Sequence, residues 1–195
     1  MFEYFYHGTI RRYVQVFGSL FNDIQLVRTD SNGNRVQTLA VPLAYGPKQK
    51  FLVRLDTNPD LDREVAISLP RLGFELTGLA YDSTRKINST QKNSYIITSD
   101  NTQLRTQYTP VPYDITFVLS AFVKNADDGT QIVEQIVPYF KPEWNVSVNL
   151  IPSMNITMDI PIILNSIDFE DVYDGDYSTR RTIIWKFNFT LKGYL

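Results

Sequence analysis

Residues 182–191 read TIIWKFNFTL, and this stretch decides the fold class. Large apolar side chains alternate along it with polar ones. The apolar set is Ile183, Trp185, Phe187, Phe189 and Leu191, and the polar set is Thr182, Lys186, Asn188 and Thr190. Such period-two alternation is typical of a β-strand with one buried and one solvated face. We therefore predict a strand here that contributes one face to the core.

Residues 114–124, DITFVLSAFVK, repeat this alternation in the middle of the chain. The side chains that share one face are Ile115, Phe117, Leu119, Ala121 and Val123. A run of this length with every second residue apolar predicts a central strand of a sheet.

Three further segments are expected to be extended. The Asn32-Gly33 pair is the favoured two-residue turn between strands, so residues 23–45 predict a β-hairpin. Residues 50–56, KFLVRLD, are expected to form a short strand, and residues 145–150, NVSVNL, another.

Two extended segments contain prolines that limit their place in a sheet. Residues 64–82 predict one or two strands, broken near Pro70 and Gly73. In residues 156–164, Pro161 lies opposite the apolar face. Because proline cannot donate a ladder hydrogen bond, we expect this strand at a sheet edge or at a bulge.

Residues 9–24 change to a helical period. Apolar side chains recur at intervals of three, four and seven, which predicts a helix with one apolar stripe. The stripe is Ile10, Tyr13, Phe17, Leu20, Phe21 and Ile24, with Thr9 as the expected N-cap. The aromatic residues before it include Tyr4 and Tyr6, which is unusual at a chain terminus. We expect these rings to dock on the core or on a neighbouring subunit.

A second, shorter helix is predicted near residue 130. Asp128 and Gln131 have the spacing of a capping box. Pro138 and Pro142 end the helix because each removes a backbone donor. Its apolar face comprises Ile132, Val133, Ile136, Val137 and Phe140.

These elements predict an α+β fold in which a mostly antiparallel, mixed β-sheet is packed by two helices. The 195 residues fit a single domain spanning residues 1–195. The opening of the chain has no signal-peptide pattern, and no stretch has the apolar length of a membrane span. We therefore expect a soluble intracellular protein with no membrane partner.

Composition argues against catalysis. The chain has no cysteine, which excludes disulfides, thiolate nucleophiles and cysteine-type zinc sites. His7 is the only histidine, and the sequence contains neither a nucleophile elbow nor a glycine-rich phosphate loop. An enzyme is therefore not expected.

Residues 83–94, STRKINSTQKNS, are polar apart from Ile87 and carry Arg85, Lys86 and Lys92. Such a run predicts a solvated loop. An alternative is a nucleic-acid-binding module that uses these cations and the arginine pairs, and its retention on DNA would collapse with salt. The formal net charge of −2 does not favour it.

An acidic run near the end of the chain is the candidate for a hard-cation site, and a metal-dependent enzyme is the corresponding alternative function. The run comprises Asp168, Glu170, Asp171, Asp174 and Asp176. The spacing does not match a calcium loop, because Arg180 and Arg181 stand where the closing ligand should be. Residues 174–181, DGDYSTRR, instead predict a turn followed by the opening of the last strand. One arginine of the pair is expected to face a partner, which is either intramolecular or a neighbouring subunit.

Four blocks of the chain, in order, resemble the tail sheath stabiliser and completion proteins of contractile-tailed phages. These blocks are residues 1–25, 67–76, 109–145 (which contains DDGTQIVEQIVPYFKPEWN) and 174–195. The resemblance covers most of the chain and is weakest across 30–60, 83–104 and 150–165.

The resemblance implies a structural virion protein of the tail and neck, assembled in the host cytoplasm, without catalysis or cofactor. It implies a homohexameric ring that stabilises the extended sheath. Its partners would be the tail sheath protein, the tail-tube terminator and the head-completion neck proteins, with DNA passing through the lumen without specific binding. The tube-terminating ring protein is the nearest alternative within the same class.

On this interpretation, acids of one subunit meet arginines of the next. Such pairing fixes register more than it adds affinity. The residues expected at the subunit or partner interface are Tyr4, Tyr6, Arg11, Arg12, Asp171, Asp174, Asp176, Arg180 and Arg181. A competing role for the carboxylates is to line the lumen and repel passing DNA. The edge strand predicted at 156–164 could also join subunits by β-augmentation, although Pro161 argues against a fully paired edge.

Overall fold

The computed structural model of the chain describes residues 4, 6–30, 34–56, 69–88, 90, 92–97, 100–151, 156–173 and 181–195. The helices in these ranges are α1 (Thr9–Ser19), α2 (Lys48–Asp56) and α3 (Ala126–Ile136). The strands are β1 (Gln25–Thr29), β2 (Arg35–Ala40), β3 (Leu43–Tyr45), β4 (Arg71–Tyr81), β5 (Lys92–Ile97), β6 (Asp100–Tyr108), β7 (Pro112–Val123), β8 (Glu143–Ile151), β9 (Ile156–Tyr173) and β10 (Arg181–Tyr194).

One six-stranded mixed sheet organises the fold, with the order β3-β4-β7-β10-β9-β8. The two strands predicted from alternation, β7 and β10, lie side by side at its centre and pair from Ile183↔Val123 to Tyr194↔Pro112. β3 runs parallel to β4, and the other neighbours are antiparallel. The predicted α+β class, the central position of β7 and the strand at β10 are confirmed.

Two small hairpins stand beside this sheet. β1 pairs with β2, as the sequence predicts for residues 23–45, although the Asn32-Gly33 turn itself lies outside the described residues. β5 pairs with β6. The first residues of β5, 92–94, belong to the predicted loop, and the rest of this hairpin was not predicted.

One face of the sheet carries the main core, covered by α1 and α3. Tyr13 and Phe17 of α1 are fully buried, and the ring of Phe17 stacks on Phe117 of β7 with centroids 4.4 Å apart. α3 buries Ile132 and Ile136 on the same face, which confirms its predicted apolar side.

The opposite face is covered at one end by α2, where the sequence predicts a strand. The short segment fits the period of a helix as well as that of a strand, and tertiary contacts favour the helix. Phe51 is buried against Phe122, with ring centroids 5.4 Å apart. Pro47 directly precedes the helix, and its carbonyl oxygen accepts from the N–H of Lys50 in the first turn at 3.0 Å. The chain therefore has a third helix in addition to the two predicted.

The packing of α2 also explains why β4 runs unbroken through Gly73. A Cβ atom at Gly73 would lie 2.5 Å from Cε2 of Phe51, so glycine makes room for the ring rather than ending the strand. The predicted break at Gly73 is wrong. β4 does begin directly after Pro70, and residues 64–68 lie outside the described ranges.

Both predicted helix caps are wrong. α1 begins after Gly8, whose φ of 65° is readily adopted by glycine, and Thr9 is the first helical residue. α3 begins after Asn125, so Asp128 lies inside its first turn, where a carboxylate is favoured by the helix dipole. Asp128 instead forms an ion pair with Arg28 of β1, with 2.7 Å between Nη1 of Arg28 and Oδ1 of Asp128.

Residues 156–164 are predicted to lie at a sheet edge or at a bulge. β9 as a whole lies between β8 and β10, but residues 156–161 pair with β8 alone, so the edge prediction holds only for this first part of the strand. Its pairing with β10 begins at Ile162, directly after Pro161, which has no N–H to donate. A bulge does occur in β9, but at Asn165 rather than at Pro161. β8 forms this edge of the sheet.

No helix in the described part of the chain is long and apolar enough to cross a membrane.

Candidate assembly surfaces

The residues before and at the start of α1 form the first surface, which we call the N-terminal group: Tyr4, Tyr6, Arg11 and Arg12. The two tyrosine side chains are 94% and 70% exposed. Arg11 is exposed, whereas Arg12 is half-buried and donates from Nη1 to the carbonyl oxygen of Asn149 on β8 at 3.4 Å. The group therefore lies at the end of the sheet where β8 finishes.

The first acids of the acidic run are already partnered within the chain. Glu170 accepts from Nζ of Lys48 at 2.6 Å and is paired with Lys186. These two ammonium groups lower the pKa of Glu170 to about 2. Asp168 accepts from the side-chain amide of Asn188 at 2.6 Å. Because β9 is a strand, Asp171 projects from the other face.

These contacts do not form a cation site. No group of three or more histidine or carboxylate side chains able to hold a metal occurs among the described residues. Two lysines occupy the carboxylate of Glu170, which a hard cation would need free. Asp174 and Asp176 lie outside the described residues.

The far end of the acidic run connects β9 to β10. Tyr173 pairs with Arg181, so residues 174–180 join two adjacent strand ends. β10 begins at Arg181, as the sequence predicts for the opening of the last strand. Arg180 lies outside the described residues, and the structure describes the backbone of Arg181 only.

One described residue from each set of predicted interface residues lies near an opposite end of β9. Arg12 contacts Asn149, which pairs with Thr157 near the start of β9. Asp171 lies fourteen residues further along the same strand, a separation of ~45 Å for an extended strand. A contact between Arg12 and Asp171 would therefore require two copies of the chain.

Arg85 contradicts the prediction of a solvated loop for residues 83–94. Its side chain is 22% exposed, and its Nε atom donates to Asp82 at 2.7 Å. One terminal nitrogen reaches Asp114 at 3.0 Å, and the guanidinium also donates to the carbonyl oxygens of Tyr113 and Lys192, both at 3.2 Å. It thus joins β7 and β10 just beyond the end of β4.

Sequence reasoning missed this cluster because its partners are distant along the chain. Lys192 completes it, 3.1 Å from Asp114 and 3.4 Å from Asp82. Hydrogen bonds from Thr84 and Arg85 hold the pKa of the Asp82 carboxyl well below its usual range. The local signal available was the Asp82-Ser-Thr84 turn, in which a carboxylate accepts from the backbone two residues on.

Tyr194 connects this cluster to α1. Arg85 lies over its ring, 5.1 Å from the centroid. The hydroxyl of Tyr13 donates to the carbonyl oxygen of Tyr194 at 2.7 Å and accepts from its N–H at 3.0 Å. Burial raises the pKa of the Tyr13 hydroxyl from 10.0 to about 12, so this anchor stays protonated even at a pH where an exposed tyrosine ionises.

Comparison with known proteins identifies the family. Residues 4–195 match the T4-like virus Myoviridae tail sheath stabiliser family. The chain belongs to that family. It is 33% identical over 205 residues to the tail completion protein gp15 of Enterobacteria phage T4, a match that covers all of this chain and 73% of the relative. This sheath stabiliser is thus a structural component of a contractile phage tail.

A second feature that sequence reasoning missed in this sheath stabiliser is an amide clasp on β1, formed by Gln131 and Gln135 of α3. Gln131 accepts from the N–H of Val27 at 3.2 Å and donates to its carbonyl oxygen at 3.3 Å. Gln135 does the same with Gln25, at 3.3 Å and 2.7 Å. Each glutamine amide therefore replaces one residue of a neighbouring strand.

The clasp is possible because one helical turn and two strand residues have nearly the same length. Four helical residues rise about 6 Å, and two strand residues span about 6.6 Å. Glutamines at positions i and i+4 can therefore reach strand residues two apart. The Arg28–Asp128 ion pair adds a third link between β1 and α3. The sequence signal was the pair of glutamines one turn apart.

Proposed function

We propose that this protein forms a homohexameric ring that terminates the contractile tail, stabilises the extended sheath and joins the tail to the head-neck proteins. The observation that carries this proposal is the family match over residues 4–195. The relative named as a tail completion protein supports the position at the end of the tail. Both favour a sheath stabiliser over a tail-tube terminator.

The opposite placement of the two candidate interface sets supports a closed ring. A ring needs two different patches that meet head to tail, and one patch alone gives only a two-fold pair. On this proposal, Asp171, Asp174 and Asp176 of one subunit meet arginines of the next, in one of two arrangements. In the first, the acids pair with Arg180 and Arg181, which leaves the N-terminal group for a different surface. In the second, they pair with Arg11 and Arg12.

The sheet face opposite the α1–α3 core has the properties of a surface that does not bind DNA. Lys186 and Lys192 project from this face, and each contacts a carboxylate of the same chain, Glu170 and Asp114 respectively. Binding to a phosphate would cost these ion pairs, and a mildly acidic chain gains little from nonspecific contact. We infer that DNA passes through the ring without specific binding.

The test compares phage tails assembled with and without the protein. We expect tails that lack it to lose the extended sheath and to fail to join heads in electron micrographs. Addition of the purified protein restores both, and native mass spectrometry of the detached end gives six copies. Extended, head-bound tails in its absence would refute the proposal.

A further inference from the structure

An open apolar groove of about 520 Å³ lies where the ends of α1 and α3 meet the start of β8. Its floor includes Phe21 and Ile24, which belong to the core. Its outer wall is an aromatic pair, Tyr139 and Trp144, with ring centroids 5.7 Å apart and nearly perpendicular planes.

The two wall rings are exposed although they stand beside the core. Tyr139 is 62% exposed and Trp144 is 39% exposed. Aromatic side chains held edge to face in this way are characteristic anchors of protein interfaces, where they bury a large area at little cost in side-chain entropy. The groove therefore has the properties of a site for another chain.

Two carboxylates set the charge of the groove. Asp23 and Glu134 both line it, and neither has an ion-pair partner within the described residues. A segment with aromatic side chains close to a cation would complement both the walls and the rim.

We propose that this groove receives the tyrosines of the N-terminal group, Tyr4 and Tyr6, from a second copy of the chain. These rings are the most exposed aromatic side chains of the described residues. They lie two residues apart and are followed by the exposed Arg11, which offers the positive charge that Asp23 and Glu134 lack.

In this structure neither Tyr4 nor Tyr6 lines the groove of its own chain, and both rings are exposed. The groove begins at Leu20, twelve residues after Gly8, which is a distance of about 18 Å along a helix. The tyrosines precede Gly8, at the other end of that helix. On this proposal the contact is between copies, and it is head to tail, as a ring requires.

This inference rests on the proposed ring, but its test does not require a ring to form. The probe is a fluorescein-labelled peptide of residues 1–12, and the receptor is the full chain carrying Tyr4→Ser and Tyr6→Ser, whose own rings cannot compete. We expect saturable binding by fluorescence anisotropy. A peptide with both tyrosines replaced by serine should bind at least tenfold more weakly.

Receptor variants locate the site. Trp144→Ala should weaken binding about tenfold, and Tyr139→Ser, at the more exposed ring, gives a second reading with less risk to folding. Glu134→Lys with Asp23→Lys should weaken binding several-fold and reduce its salt dependence. The matched control is Glu143→Lys, which sits next to Trp144 but projects from the other sheet face and should change nothing.

The outcomes separate this inference from the proposed function. Peptide binding that is absent, or that is unaffected by both Trp144→Ala and Tyr139→Ser, overturns the groove assignment even if hexamers form on tails. Groove-dependent binding supports the assignment even if the native mass at the tail end is not that of six copies.

Discussion

Arg85 is a single residue on which three strand ends depend. It neutralises two carboxylates, Asp82 and Asp114, and donates to two backbone carbonyls across β7 and β10. We expect Arg85→Ala to lower the melting temperature by about 5–10 °C, because it leaves a mostly buried carboxylate without its closest cationic partner. Differential scanning calorimetry measures the change.

Two further variants show whether geometry or charge matters at this position. Arg85→Lys should recover less than half of the loss, since lysine cannot make the forked contacts of a guanidinium. The exposed neighbour provides the control, and Lys86→Ala should shift the melting temperature by less than about 2 °C. Equal effects of Arg85→Ala and Lys86→Ala would mean that the cluster adds nothing to stability.

Glu170 gives the protein an acid-sensitive contact. Its folded pKa of about 2 lies below the ordinary value of 4.5. A lowered pKa stabilises the folded state above about pH 4.5, and this contribution is lost as the pH falls towards 2. Because the side chain is 40% exposed, solvent screening limits the gain to about 1 kcal/mol.

The corresponding experiment is urea unfolding of Glu170→Gln and of the parent chain. We expect the parent to be more stable by up to about 1 kcal/mol at pH 7, with the difference shrinking steadily between pH 4.5 and pH 2. Glu143→Gln, an exposed acid on the same face, is the control and should show no such trend. A difference independent of pH would show that the lysine contacts do not lower this pKa.

At the level of elements, the amide clasp closes one edge of the β1–β2 hairpin. A two-stranded hairpin is marginal in water, and a free strand edge invites pairing with other chains. We expect Gln131→Ala with Gln135→Ala to destabilise the fold by about 1–3 kcal/mol through four lost hydrogen bonds. In hydrogen exchange, the amides of Gln25 and Val27 should exchange at least tenfold faster.

The control for the clasp is Gln15→Ala, an exposed glutamine on α1. It should leave both the stability and these two amides unchanged. Unaltered protection of Val27 in the double variant would show that the glutamines do not close this edge in solution.

The local sequence pattern predicts an element well when the same pattern also shows which face of that element is buried. The alternation along 182–191 and 114–124 fixes which face is buried, so β10 and β7 were predictable as strands. α2 was not, because its seven predicted residues fit either period and Phe51 is positioned by Phe122, some seventy residues away. The same limit explains Asp128: its spacing suggests a cap, but its partner Arg28 lies a hundred residues earlier.

The candidate surfaces also depend on residues that are distant along the chain. The sequence predicts that Tyr4 and Tyr6 dock on the core or on a neighbouring subunit, and their exposure rules out the core. The groove brings together segments around Leu20, Glu134 and Trp144. Nothing in any one of those segments indicates a groove. Arg85 lies within a mostly polar run, and its partial burial comes from contacts with Asp114 and Lys192 of the central strands.

For the whole molecule, the decisive question is whether charge at the β9–β10 connection fixes the register between copies. We expect Arg180→Glu with Arg181→Glu to abolish ring assembly on tails. The introduced glutamates would repel the acids of the neighbouring copy with which these arginines pair. Light scattering and native mass measure the copies present. Lys86→Glu with Lys92→Glu changes net charge equally on residues 83–94 and should leave assembly intact.

Combining this reversal with Asp171→Lys, Asp174→Lys and Asp176→Lys separates the two pairing schemes. If the acids pair with Arg180 and Arg181, the combined variant restores opposite charges and should recover rings at the parent's mass. If the acids pair instead with Arg11 and Arg12 of the next copy, the double variant keeps its rings, the combined variant loses them, and rings return only when Arg11→Glu and Arg12→Glu are added. Rings of unchanged mass in the first double variant would exclude the arginine pair from subunit contact altogether.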